Sequence, residues 1–118
     1  MAVKNEVRTV RGLFVNANAA IGAEKVEFPA DNQSVFDILN SLIGADHGTV
    51  IAVSDKILLW VDEDATLRKK SANIKLSMLA GQPVYGNGVM IGYEHTEDDQ
   101  GTRFVNLPSE IYDHLIGH

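Results

Sequence analysis

A chain of 118 residues, 45% apolar and 22% charged, is sized for one domain that buries roughly two-thirds of the surface its unfolded form exposes, and no stretch is polar or repetitive enough for disorder. A formal net charge of -6 works against direct nucleic-acid binding, which needs clustered Lys and Arg. The lack of cysteine removes disulfides, thiolate catalysis and Cys-based zinc sites.

The longest apolar runs are far short of a membrane span, and "MAVKNEVRTVRG" has no apolar signal-peptide core. The expectation is a soluble cytoplasmic protein without a membrane partner, its ordered core running from about residue 8 to 116.

In chain order, "VRGLFVNA" predicts a strand from Arg8 to Asn16, and "AEKVEFPA" a second, with Val26 and Phe28 on one face and Pro29 ending it. The small-residue link "NANAAIGA" makes them a loose hairpin. "DNQSVFDILNSLIG" then carries helix signals: Asp31 or Asn32 as cap, an apolar face of Val35, Leu39 and Leu42 with Phe36, Ile38 and Ile43, and Gly44 as the C-terminal stop.

"GTVIAVSDKILLWVDED" reads as strands Thr49–Val53 and Lys56–Val61 joined by Ser54 and Asp55, a link so short that the pair is antiparallel. "SANIKLSMLAG" predicts a short helix from Ala72 to Ala80 with Ile74, Met78 and Leu79 turned inward and Gly81 ending it. A Gly86-Asn87-Gly88 turn leads into the strand "GVMIGYE", a polar loop "HTEDDQGT" into a short strand at Arg103–Val105, and Pro108 opens a terminal helix carrying Ile111, Tyr112 and Leu115. Paired strands interrupted by helices define an α+β fold: a mixed, mainly antiparallel sheet with two or three short helices against it.

The chemistry invites one sharp question at "ILLWVDEDATL". Asp62 and Asp64, after an apolar strand, have the spacing of an aspartate nucleophile and its acid in phosphotransferases. Lys69 or Lys70 and the pair Asp98-Asp99 supply the types needed for phosphate and magnesium. Position tells against it: half of the chain precedes the motif, its strand belongs to an antiparallel hairpin, and Asp98-Asp99 lies in a loop. The two aspartates then read as exposed turn residues, and no catalytic residue is assigned.

His114 and His118 have helical zinc spacing but no acidic partner, so no metal site and no cofactor are assigned either. Trp60 reads as core. Arg68, Lys69 and Lys70, followed by Asn73, form the best candidate for holding an anionic small molecule. In the last quarter six acids (Glu94, Glu97, Asp98, Asp99, Glu110, Asp113) face one base, Arg103; Glu94, Glu97, Asp98 and Asp99 are the candidate surface for a basic partner protein.

From Val61 to Tyr93 the chain resembles a family of small uncharacterised domains carried by bacteriophages, prophages and plasmids. The matching residues are Asp62 to Asp64 in a turn after a strand, Asn73 opening a small helix, the Ala80-Gly81 step and the Gly88 to Gly92 strand, with Leu13 to Val15, Asp31-Asn32 and Gly44 earlier. The resemblance implies a mobile-element setting in a bacterial cell and brings no catalytic residues. The leading expectation is a non-catalytic accessory protein that binds a host or phage macromolecule through its surface. The alternative is a module that binds or sequesters a nucleotide signal, for which a homo-oligomer would help build a pocket. Phosphotransfer is the third reading.

Overall fold

The computed structural model of the chain describes residues 9–18, 20–29, 35–95 and 102–111. Six strands, β1 (Thr9–Val15), β2 (Ala23–Pro29), β3 (Gly48–Ala52), β4 (Ile57–Asp62), β5 (Gly88–His95) and β6 (Thr102–Val105), form one sheet, with helices α1 (Val35–Ile43) and α2 (Ile74–Ala80) between them. The strand order is β2-β1-β5-β4-β3, and every ladder is antiparallel. Gly92 of β5 pairs with Ile57 of β4 and also with Val105, so β6 continues along the edge of β5 where β1 leaves off. The α+β class follows.

The period-two alternation of the strands divides the apolar residues between two faces. On one face Val10, Phe28, Leu58, Trp60, Val89 and Ile91 pack under Val35, Leu39 and Ile43 of α1. On the other, Leu13, Val15, Leu59, Val61 and Met90 pack under Leu76 of α2, Val84 and Leu107. A helical turn begins at Ser109, with the Ile111 amide bonded to the Pro108 carbonyl at 3.0 Å. β4 and β5 contribute to both faces because they are central. Their unbroken apolar runs are what burial on both sides requires.

α1 ends as its sequence demands. Gly44 takes the left-handed conformation at φ 70°, and the Ala45 amide reaches the Asn40 carbonyl at 2.9 Å, which satisfies the orphan carbonyls of the last turn. The caps expected at Asp31 and Asn32 lie outside the described residues. Trp60 is buried at 7% exposure; its indole N–H donates to Asn40 Oδ1 at 2.9 Å and its ring stacks on Phe36 at 5.3 Å. The indole lies over Gly48 so closely that any Cβ there would collide with it.

α2 forms where expected, but its inward face differs. Leu76 is fully buried, whereas Ile74 and Met78 are 62% and 79% exposed. The cause is its N-cap. Asn73 is itself buried: its Oδ1 accepts from the Leu76 amide at 3.1 Å, and its Nδ2 donates to the carbonyls of Val15 (3.2 Å) and Gly86 (2.9 Å). Those bonds hold the helix start in a fixed rotation that aims Leu76 at Gly88, where a side chain larger than hydrogen would collide with it.

Trp60→Ala should therefore cost about 3 kcal/mol or more, as large core truncations do. Met78→Ala should cost under about 0.5 kcal/mol, as surface changes do. Chemical denaturation followed by circular dichroism measures both, and a costly Met78→Ala would mean that α2 packs on the face first expected from its sequence.

Candidate functional site

Asp62 ends β4 on the α1 side of the sheet. Its side chain has no exposed surface, so the expectation of an exposed turn residue is corrected. Oδ1 accepts the Asp64 amide at 2.9 Å, and Oδ2 lies 2.6 Å from Lys70 Nζ and 3.6 Å from Arg68 Nη1. The Lys70 contact is an ion pair, approached outside ordinary hydrogen-bond angles.

Lys70 also donates to the Gly44 carbonyl at 2.8 Å and the Ile43 carbonyl at 3.4 Å. Two of the ammonium's three donors go to these carbonyls, and the Asp62 oxygen meets it as a charge, which makes three oxygen partners. They include carbonyls at the negative end of the α1 dipole, where a cation is favoured. Burial alone would raise the Asp62 pKa; the Lys70 contact, the Asp64 amide and the charges of Lys70 and Arg68 outweigh it, so the carboxyl titrates below its ordinary range.

Between Asp62 and Lys70 the chain makes helical turns. The Arg68 amide bonds to the Asp64 carbonyl at 3.0 Å, and the Lys70 amide to the Ala65 carbonyl at 3.0 Å. The last turn is closed by Lys69 in the left-handed region at φ 58°, a place usually given to glycine. A side chain costs roughly 1–2 kcal/mol there. The geometry holds the Lys69 ammonium out in solvent, and among the described residues it makes no ion pair.

Arg68, Lys69 and Lys70 line an open groove of about 760 Å³ together with Asn16, Ala17 and Asn18. Gly86 and Asn87 lie along it, and Gly44 with Ile43 at the end of α1. The asparagines share one bonding pattern. Asn16 Oδ1 accepts the Asn18 amide at 2.8 Å, Asn18 Oδ1 the Ala20 amide at 2.9 Å, and Asn87 Oδ1 the Ala17 amide at 2.8 Å. With all three carbonyl oxygens turned to the backbone, each amide presents its NH2 group as a donor. The α1 carbonyls would repel an anion, but Lys70 covers them. Among the described residues, the charged side chains that line the groove are cations.

Of the residues singled out in the sequence, Arg68, Lys69 and Lys70 do come together, in distinct roles: Lys70 is bound internally, Arg68 is half exposed, and Lys69 is exposed. Asn73 lies in the interior with its amide spent on backbone, and it supplies nothing to the groove. Asn16, Asn18 and Asn87 were missed. Their signal was present, since Asn-x-Asn and Gly-Asn-Gly are sequences whose side chains bond their own backbone.

Glu94 pairs across the β5–β6 ladder with Arg103 at 2.7 Å. Glu97, Asp98, Asp99, His114 and His118 lie outside the described residues. Among those described, no group of three or more His, Asp or Glu converges. Asp62 in this arrangement has no face open to a phosphoryl group: β4 is antiparallel to both neighbours, and the carboxylate is covered.

No family model matches the chain, and no curated protein matches it. Among solved structures, a crystal structure of the small RNA methyltransferase HEN1 is similar with a TM-score of 0.72 over 95% of this chain at 12% identity. This chain spans 16% of that protein's length. The likeness is one of fold.

Asp62→Asn should cost about 3 kcal/mol, the low end for removing one member of a buried pair, because Lys70 keeps some access to water. Asp64→Ala, which leaves the bond from its backbone amide in place, should cost under about 1 kcal/mol. The sign of the pH effect follows from the depressed pKa. The folded state keeps Asp62 ionised below the unfolded value, so the contribution is complete above about pH 4 and is lost as pH falls through the lower, folded value. Denaturation at stepped pH should show wild type losing stability on acidification below about pH 4, with a shallower loss in Asp62→Asn; parallel slopes would remove this role for Asp62.

Proposed function

We propose that this protein is a non-catalytic binding module that takes an anionic small molecule, of phosphate- or carboxylate-bearing chemistry such as a nucleotide signal, in the groove between Asn16–Asn18 and Arg68–Lys70. The observation that carries the reading is the lining of the groove, where Arg68 and Lys69 stand with Asn16, Asn18 and Asn87, whose carbonyl oxygens are taken by backbone amides so that their NH2 groups remain as donors. Charged donors to phosphate or carboxylate make the stronger hydrogen bonds. The left-handed Lys69 adds support: a strained residue that glycine would relieve is a reasonable place to look for function. The setting proposed with it is the cytoplasm of a bacterial host, as an accessory product of a phage or other mobile element; among the described residues no helix is long and apolar enough to cross a membrane.

A second reading, docking of a host or phage protein, has its own observation. Ile74 and Met78, one helical turn apart on α2, face solvent. Large exposed apolar residues in register on one helix are the kind of anchor a partner surface uses. The acidic stretch from Glu94 to Asp99 belongs to the same reading, with Glu94 already engaged by Arg103.

Titration calorimetry with inorganic phosphate and with mono-, di- and triphosphate nucleotides separates the two. Binding that falls at least tenfold in Arg68→Ala/Lys69→Ala and is unchanged in Met78→Glu supports the groove. No heat with any of these anions sinks it. Lys69→Gly is the finer test: stability should hold or rise by up to about 1 kcal/mol, as the left-handed strain is relieved, while anion affinity falls.

A further inference from the structure

The two borders of the sheet differ in kind. β2 carries Glu24, Lys25 and Glu27 and ends in Pro29, all features that discourage another strand from pairing. β3 reads Gly-Thr-Val-Ile-Ala, without charge or proline, and among the described residues nothing pairs on its outer side. Natural proteins seldom leave such an edge bare.

The ladder tells which groups point outward. The Val53 amide bonds to the Ile57 carbonyl at 2.9 Å and the Glu63 amide to the His47 carbonyl at 2.9 Å, so residues 47 and 53 face β4. The alternation of an antiparallel pair puts Thr49 and Ile51 with them. Gly48, Val50 and Ala52 therefore turn both N–H and C=O away from the sheet, with Val50 at the centre of the three.

We infer that two copies of this chain join by antiparallel pairing of β3 with β3 about a two-fold axis at Val50, which makes one continuous sheet. In that register Val50 meets Val50 of the second copy, and Gly48 meets Ala52, so every outward donor finds an outward acceptor. A two-fold axis requires this kind of self-complementarity, and the strand meets it without placing like charges opposite one another.

Side chains fit as well. Val50, 47% exposed, gains its own counterpart as a neighbour on the α1 face. On the opposite face a hollow of about 170 Å³ lies beside the edge, with Thr49, Ile51, Val61 and Val84 in its lining together with Asp62 and Glu63. The register sets Ile51 of the second copy opposite Thr49, at the border of that hollow.

The chain has no cysteine, which makes a clean cross-linking test. Paired Cα atoms at a hydrogen-bonded position lie about 5.5 Å apart, within disulfide range. Under mild oxidation Val50→Cys should form a covalent dimer at least ten times faster than Glu24→Cys on the other border. Sedimentation should show wild type as a dimer and Val50→Pro as a monomer with unchanged far-ultraviolet circular dichroism, because the lost N–H serves only the second copy. Should Val50→Pro fail to fold, Ala52→Lys, which sets lysines at both ends of the paired segment, carries the same expectation. A wild type that sediments as a monomer at every concentration overturns the pairing, whatever other strand the edge accepts, and so does a dimer that survives the folded edge variants.

Discussion

The ammonium of Lys70 lies between the carboxylate that ends β4 and the carbonyls that end α1. Exposed ion pairs contribute about 0–1 kcal/mol, but Asp62 has no exposed side-chain surface, so its charge must be met inside the fold. One cation meets it and closes the helix end at once. Lys70 also runs against the left-handed turn at Gly86, where its aliphatic stem lies on the backbone. Strand end, helix end and turn are thereby held together, and the helix end and the turn line the groove.

Asn73 performs the matching task on the opposite side of the sheet. It caps α2 and ties its first turn to the ends of β1 and of the segment before β5. A short helix has little stability of its own. Its placement comes from this buried amide and from Leu76 seated on Gly88, with the ladder-like bonds of Asn73 to Val84 and Gly86 to Ser71 alongside. Two polar residues that look alike as ligand donors in the sequence are thus structural, and their rigidity bears on function: they fix where Arg68 and Lys69 emerge.

A basic loop that only needed solubility would gain nothing from a strained residue. Here the Asp62–Lys70 pair holds the loop, Lys69 closes it in a conformation glycine would take more easily, and three asparagines spend their carbonyl oxygens on backbone amides. A site prepared in advance avoids ordering its side chains when the ligand arrives. The acidic character of the whole chain is compatible with the proposed anion binding, because the field at short range would be that of the groove, with the distant carboxylates screened by salt.

The amino-acid sequence by itself determined the α+β class, the β3–β4 hairpin and the burial of Trp60. It also placed the glycine stop after each helix, since these follow from alternation, turn length and backbone sterics, all local in the chain. The basic run at Arg68–Lys70 was legible as a local cluster of cations for the same reason. Only the tertiary structure decided that Asp62 is buried, that Lys70 is bound internally while Lys69 is exposed, and that Ile74 and Met78 face outward. Those outcomes depend on partners far along the chain: Lys70 on Ile43 and Gly44, Asn73 on Val15 and Gly86, Ala17 on Asn87. Local periodicity carries no information about which distant carbonyl or carboxylate a polar side chain will meet, and here those meetings set the rotation of α2 and the shape of the groove.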